Sequence, residues 1–373
     1  MSEMSRHYDE YRLEELGDLK NGLNFTNSEI KTPCKIIGVG DFGNNIFPPY
    51  DQLGYVDKNN VSEDFLLKEN DIIFVRSNGN KNLVGRTMMI KNIQEDVTFS
   101  GFCIRLRIDS KIVNPEYLFY ALRAPFCRKQ YSYSQQTNIT NLSQDVLSNV
   151  IVRLPSLQEQ EKIAMILLNI DKKIVNNHTI NDNLQSQLCL IYENMIAKAN
   201  SNQIKGKFVT AKEMTNITTG KEDANFSTVN GKYKFFTCSN VPLQCDEYAF
   251  ESSSILIAGN GDFNVKHYSG KFNAYQRTYV LTPSPEYYAI LYLACLYQVN
   301  LFKSNSSGSI VKFITKSDVE NIPIFIPDDI SLLQKLNNLL HFQEKNILES
   351  DKLIQLRDFL LPLLMNGQAT IDD

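Results

Sequence analysis

Four polar loops hold the side chains whose types and spacing could do chemistry. The run RSNGNKNLVGR, Arg76 to Arg86, offers Arg76, Ser77, Asn78, Asn80, Lys81 and Arg86 around two glycines. The run SYSQQTNIT, Ser132 to Thr140, adds Gln135, Gln136 and Asn138. In the other half of the chain, Gly259 to Arg277 carries Asn260, Lys266, Lys271, Tyr275, Gln276 and Arg277, and Ser304 to Phe313 carries Ser307 and Lys312. Guanidinium and ammonium groups neutralise phosphates, whereas asparagine and glutamine amides can pair bidentately with adenine. The chemistry on offer is recognition. Polar loops are most often solvated connections, so the reading rests on their recurrence at equivalent places in both halves.

Sequence patterns that imitate catalysis do not hold up. Gly38-Val39-Gly40-Asp41-Phe42-Gly43 fits GxGxxG, but Pro48 and Pro49 arrive where a dinucleotide site needs a helix. Phe47-Pro48-Pro49-Tyr50 has the outline of a methyltransferase tetrapeptide, yet Phe47 cannot accept the hydrogen bond that grips an amine. Asp18 with Glu29 and Lys31 has a nuclease-like spacing but no flanking strand pattern. The histidines His7, His178, His267 and His341 are scattered, and His267 is expected at the surface. No cysteine pair or cysteine–histidine cluster has zinc spacing, so the seven cysteines are expected to be reduced and structural. We expect no catalytic residue, no metal site and no cofactor in this chain.

Composition narrows the partners. The 373 residues suit two or three domains, and 43% hydrophobic with 21% charged residues describes an ordinary globular chain. Net charge is −4, with acidity concentrated in the C-terminal segment. DNA affinity of the chain alone should therefore be modest, because phosphate neutralisation supplies much of such binding. The absence of a long apolar run and of a signal-peptide pattern leads us to expect a cytoplasmic protein without a membrane partner.

The elements that would position these loops occur twice. Apolar strand-like runs close at Pro155 and Pro327, 172 residues apart (327 − 155), and each is followed by a long heptad-patterned segment. The helix-opening triplets Pro115-Glu116-Tyr117 and Pro285-Glu286-Tyr287 repeat with an offset of 170 (285 − 115). Ser77-Asn78-Gly79 follows DIIFV and Gly259-Asn260-Gly261 follows SILIA. Short apolar runs alternating with polar loops and a few helices read as α+β modules.

Ser156 with Glu159 makes a capping box for the first long helix. Its coiled-coil seam runs through Ile163, Leu167, Ile170, Ile174, Leu184, Leu188 and Ile191, interrupted by Asn177 and Asn181. Buried asparagines would fix register; exposed ones would mark a local break. The second helix, capped by Asp328 or Asp329, shows Leu333, Leu340, Ile347 and Ile354. Pro362 is expected to kink or end it, with Gly367 as the C′ residue.

The runs LPSLQEQ (Leu154 to Gln160) and LRDFLLPLLMNG (Leu356 to Gly367), in this order of module, helix, module, helix, resemble the specificity subunit of a Type I restriction-modification system. Gly101 and Ala274 to Val280 sit where such modules carry similar runs, so the likeness covers nearly the whole chain. One departure is Asp328-Asp329-Ile330-Ser331, where the family repeats a proline-leucine-glutamate-glutamine run. The resemblance implies an α+β protein in which two target recognition domains are separated by a long antiparallel two-helix coiled coil, with an internal pseudo-twofold repeat. The segments would be domain 1 (1–155), spacer helix (156–200), domain 2 (201–327) and C-terminal spacer helix (328–373).

It also implies double-stranded DNA with a split recognition sequence as target, with two methyltransferase subunits and restriction/translocase subunits as partners. S-adenosylmethionine, ATP and Mg would belong to those subunits, the methyl acceptor being adenine N6. The alternatives are a specificity chain of a Type IIB-like bifunctional system, or a coiled-coil scaffold with two modules for ligands other than DNA.

Overall fold

The computed structural model describes residues 8–25, 29–43, 45–80, 83–132, 141–261, 263–305, 313–369 and 371. They fall into two units, Met1–Val175 with Asp351–Asp373, and Asn176–Ser350.

The first unit runs β1 (Asp9–Arg12), β2 (Gly17–Asn21), β3 (Pro33–Ile37), β4 (Gly54–Asp57), β5 (Ile72–Val75), β6 (Thr87–Met89), β7 (Val97–Phe99) and β8 (Cys103–Ile108). Helices α1 (Pro115–Arg123), α2 (Pro125–Ser132) and α3 (Gln144–Ser148) follow, then β9 (Ile151–Leu154) and the start of α4 (Leu157–Asn200). Strands order as β2-β8-β5-β6 in one sheet and β4-β3-β7 in another. The run DIIFV lacks a polar alternation because β5 is buried on both faces. Ile72 and Phe74 join the core beneath α1 and α2, while Ile73 and Val75 face a second core with Ile37, Met88 and Phe99.

The second unit contains β10 (Gly206–Thr210), α5 (Ala211–Met214), β11 (Ile217–Thr219), β12 (Tyr233–Phe236), β13 (Leu243–Cys245), β14 (Phe250–Ala258), β15 (Val265–Ala274) and β16 (Thr278–Leu281). After these come α6 (Tyr288–Asn305), α7 (Lys316–Glu320), β17 (Pro323–Pro327) and α8 (Ile330–Met365). Its sheet, β11-β16-β14-β15-β12-β13, repeats the first unit's order. The long β15 does the work of both β6 and β7. It pairs antiparallel with β14, and its last residues pair parallel with β12, as β7 pairs with β3. Here too the central strand has two buried faces: Ile255 and Ile257 lie under α6, and Leu256 lies against Phe236 and Phe272.

Each unit also closes on itself. The opening strand β1 pairs antiparallel with β9, and β10 with β17, so each module's two ends meet beside its long helix. The sequence displays the closing strands but not their partners.

The helix starts follow from their caps. The Glu159 amide donates to Ser156 Oγ at 3.4 Å, and Ser331 N to Asp329 Oδ1 at 2.9 Å. Gln160, fully buried, donates to the carbonyls of Pro155 and Ile112 and accepts from Asn114 N, fastening α4 to the N-terminus of α1. Pro362 does not end α8, which continues to Met365. The helix stops at Gly367 (φ 69°), where Gly367 N donates to Leu364 O and Gln368 N to Leu363 O, the bond pattern of a Schellman motif.

Helix pairing is antiparallel in each unit, and one polar knot recurs at the same positions in both. In the first, Asp171 accepts from Tyr120 Oη at 2.7 Å and from Arg357 Nη1 at 2.8 Å. In the second, Gln185 Oε1 accepts from Tyr292 Oη at 3.1 Å and from Gln343 Nε2 at 3.3 Å. These are the same three positions, since 292 − 120, 343 − 171 and 357 − 185 are each 172. One knot is ionic and the other is neutral.

Of the seam residues, Ile163, Leu167, Ile174, Leu184, Leu188, Leu333 and Leu340 are buried, and Ile170, Ile191 and Ile354 are half-buried. Ile347 corrects the expectation, being 39% exposed. Asn346 takes the buried place beside it and donates to Asn181 Oδ1 at 3.0 Å. Asn177, also buried, reaches Glu349 Oε2 at 2.7 Å and Ser350 Oγ at 3.3 Å. The asparagines therefore belong to a buried cross-helix layer, the register-fixing alternative of the two.

Candidate nucleic-acid interface

In the first unit the chain leaves the sheet at the end of β5. The Arg76 amide donates to Phe102 O, and its carbonyl accepts from Leu142 N, both at 2.8 Å. Ser77 then forms an isolated β-bridge with Asn141. In the second unit the chain leaves at the end of β14. Gly259 O accepts from Ile314 N at 2.8 Å, and Asn260 bridges Phe313. The segments so joined enter α3 and α7, capped by the Ser143 and Thr315 side chains. In both units, then, the loop after the central strand is fastened to the chain just ahead of a short capped helix. Each bridge thus pairs the start of one polar run with the described residue at the C-terminal edge of another.

Within the first pair, Asn78 Oδ1 accepts from Asn80 N at 2.8 Å, a local turn that stiffens the loop. Arg76 Nη1 lies 3.4 Å from Gly101 O, and Arg86 donates to Gly43 O. Each guanidinium spends one of its five N–H donors on the backbone, which orients the rest. In the second pair, Gly259 N donates to Arg277 O at 2.9 Å, bringing exposed Arg277 beside Asn260. Tyr275 N donates to Phe236 O, and Gln276 Nε2 to Asp223 Oδ1 at 2.8 Å.

The two remaining lysines are engaged elsewhere. Lys266 donates to Thr237 O at 3.3 Å and to Asn264 Oδ1. Lys271 lies over the Tyr248 ring at 4.6 Å and 3.8 Å from Glu251, and the Tyr248 hydrogen bond followed by that carboxylate raises its pKa. Neither joins the bridged pair. Lys81, Gln135, Gln136, Asn138, Ser307 and Lys312 lie outside the described residues.

The misleading motifs have ordinary roles. Asp41 caps its own turn by accepting from Gly38 N at 2.7 Å, and Phe47 packs against the core beneath α1. Asp18 pairs with Arg105 at 2.9 Å. All seven cysteines are free, and burial pushes Cys34 up to about 11 and Cys103 and Cys127 up to about 12, so these three stay protonated thiols. His267 is not a surface residue, since its side chain is only 9% exposed and its Nδ1 lies 3.0 Å from Glu344 Oε1. Sequence reading missed this contact because residues 267 and 344 are joined only by the fold. Among the described residues no helix is long and apolar enough to cross a membrane.

The description "Type I restriction modification DNA specificity domain" fits this chain twice, over residues 6–186 and 203–350. The chain belongs to that family. Two specificity subunits of Type I restriction enzymes are similar to it: EcoDI of Escherichia coli, 36% identical over 171 residues, and StySPI of Salmonella potsdam, 31% identical over 130 residues. The matches cover 44% and 35% of this chain but only 38% and 27% of those relatives' own lengths. The fold is similar to that of a Type I restriction-modification S subunit from M. genitalium, at a TM-score of 0.60, 18% identity and coverage of 98% of this chain and 97% of that one. The specificity family thus accounts for the α+β class and for the doubling of the module.

Proposed function

We propose that this chain is the non-catalytic reader of a Type I restriction-modification enzyme, each module recognising one half of a split double-stranded DNA sequence. The observation that carries this reading is the repeated bridge, Ser77 to Asn141 and Asn260 to Phe313. In both modules it fastens the start of a loop rich in amides and cations, where the central strand ends, to the chain just ahead of a short capped helix. A shared scaffold with unlike side chains at that place suits two different half-sites.

The long helices dock methyltransferase subunits, through which restriction/translocase subunits join. Exposed apolar side chains support this. Met165 is 59% exposed and Phe359 65% in the first unit, and Leu190 is 64% and Phe342 51% in the second. S-adenosylmethionine, ATP and Mg act in those partners, where adenine N6 is methylated.

The test is a footprint of genomic DNA by the chain together with its methyltransferase. Protection of one discontinuous sequence, with weak binding by the chain alone, is the expected result. Sequence-independent protection in the presence of the partner would refute the reading.

A further inference from the structure

The bridge after each central strand lies beside an exposed aromatic ring. In the first unit Phe102 O accepts from Arg76 N at 2.8 Å, as Arg277 O accepts from Gly259 N at 2.9 Å in the second. Cys103 N donates to Ser100 O at 2.9 Å and Thr278 N to Tyr275 O at 2.8 Å, so both chains make the same turn there. Phe102 therefore stands where the second unit has Arg277. In the second unit Phe313 lies across the bridge from Asn260, where the first unit has Asn141 facing Ser77. Phe102 is 57% exposed and Phe313 60%. Among the described residues the other exposed phenylalanines are Phe342 and Phe359 on α8 and Phe208 on β10, which packs against Phe325 with ring centroids 5.1 Å apart. Each module thus presents one phenyl ring beside its bridge, from a different flanking segment.

We propose that Phe102 and Phe313 each read the 5-methyl group of a thymine, one in each half-site, an inference that rests on the DNA-reading function proposed above. A phenyl ring cannot make the hydrogen bonds that amides offer to base edges, and it cannot neutralise a phosphate. The thymine methyl is the apolar group that duplex DNA presents in its major groove, and phenylalanine is among the side chains that contact it. Both backbones are fastened. Phe102 O holds Arg76 N, and beside Phe313 the Ile314 amide donates to Gly259 O at 2.8 Å while its carbonyl accepts from Tyr279 Oη at 3.0 Å. A ring on a fixed backbone selects one position along the duplex. It takes a cation's place in one module and an amide's in the other, so the two half-sites are read by different sets of groups.

The test uses the full chain with its methyltransferase on the discontinuous sequence that the complex protects. Thymines of that duplex are replaced one at a time by uracil, which removes the methyl and keeps the pairing edge. In each half-site one replacement should weaken binding by the wild-type complex roughly fourfold, the worth of one methylene-sized group removed from water. Phe102→Ala should bind thymine and uracil duplexes equally at one half-site and keep the wild-type penalty at the other. Phe313→Ala should do the reverse. Melting temperatures should be unchanged, since both rings are exposed. A uracil series without effect on the wild type, or alanine variants that keep the full penalty at both half-sites, would overturn this inference and leave the reading of a split sequence standing. Protection of no discontinuous sequence would overturn both.

Discussion

Asp171 and Gln343 occupy the same place in the two halves, yet removing them should not cost the same. Asp171 is 2% exposed and neutralises Arg357, which is 17% exposed. Asp171→Ala leaves the Tyr120 hydroxyl without its acceptor and Arg357 with only the exposed Asp358, a loss of about 3 kcal/mol. Gln343→Ala breaks neutral hydrogen bonds only, a loss of about 1–3 kcal/mol. Urea denaturation followed separately in each unit should resolve the difference.

Glu344 adds a pH dependence. Burial works to raise its carboxyl, but the His267 hydrogen bond and charge, the Tyr288 hydroxyl and the His341 charge outweigh it and hold the pKa below the usual value. A carboxylate depressed in the folded state stabilises above its unfolded pKa, and that contribution is lost as pH falls through the folded one. Glu344→Gln should therefore destabilise the protein at pH 7, by an amount that shrinks as the pH is lowered through the carboxylate range. A penalty that is constant with pH, measured by denaturation at several pH values, would contradict this assignment.

At the scale of elements, the helices were legible wherever apolar residues kept the heptad. One series in α8, Leu333, Leu340, Ile347 and Ile354, stands out in the sequence. The other, Leu336, Gln343, Ser350, Arg357 and Leu364, is hidden, because its three central members are polar and look like surface. Pairing reveals it: Gln343 and Ser350 are buried, and Arg357 is held by Asp171. The C-terminal stop makes a sharper prediction. An added Cβ at Gly367 would meet the Tyr8 hydroxyl at 2.9 Å, in a backbone conformation that favours glycine. Gly367→Ala should lower stability by roughly 1–2 kcal/mol, visible as a fall in melting temperature.

At the scale of the whole molecule, the proposal assigns one half-site to each module. Arg277→Ala should weaken binding of the complex evenly across sequences and reduce the slope of log affinity against log salt by about one, as loss of a phosphate contact does. Asn260→Ala should relax sequence preference on one half-site and leave the other intact, read by methylome sequencing. Equal loss on both halves would mean the modules do not read independently.

The sequence by itself determined the repeat, the places of the long helices and the polar loops, because these are written in spacing, caps and local composition. Local signals of this kind need no tertiary contact to be expressed. Only the tertiary structure decided which strand end is fastened ahead of which short helix. The bridges Ser77 to Asn141 and Asn260 to Phe313 join residues more than fifty positions apart, and backbone pairing of that range leaves no mark in residue types. It likewise took the fold to turn Lys266 and Lys271 onto neighbouring groups and to pair His267 with Glu344. A side chain's partner depends on which strands and helices pack together, and packing is a property of the whole chain.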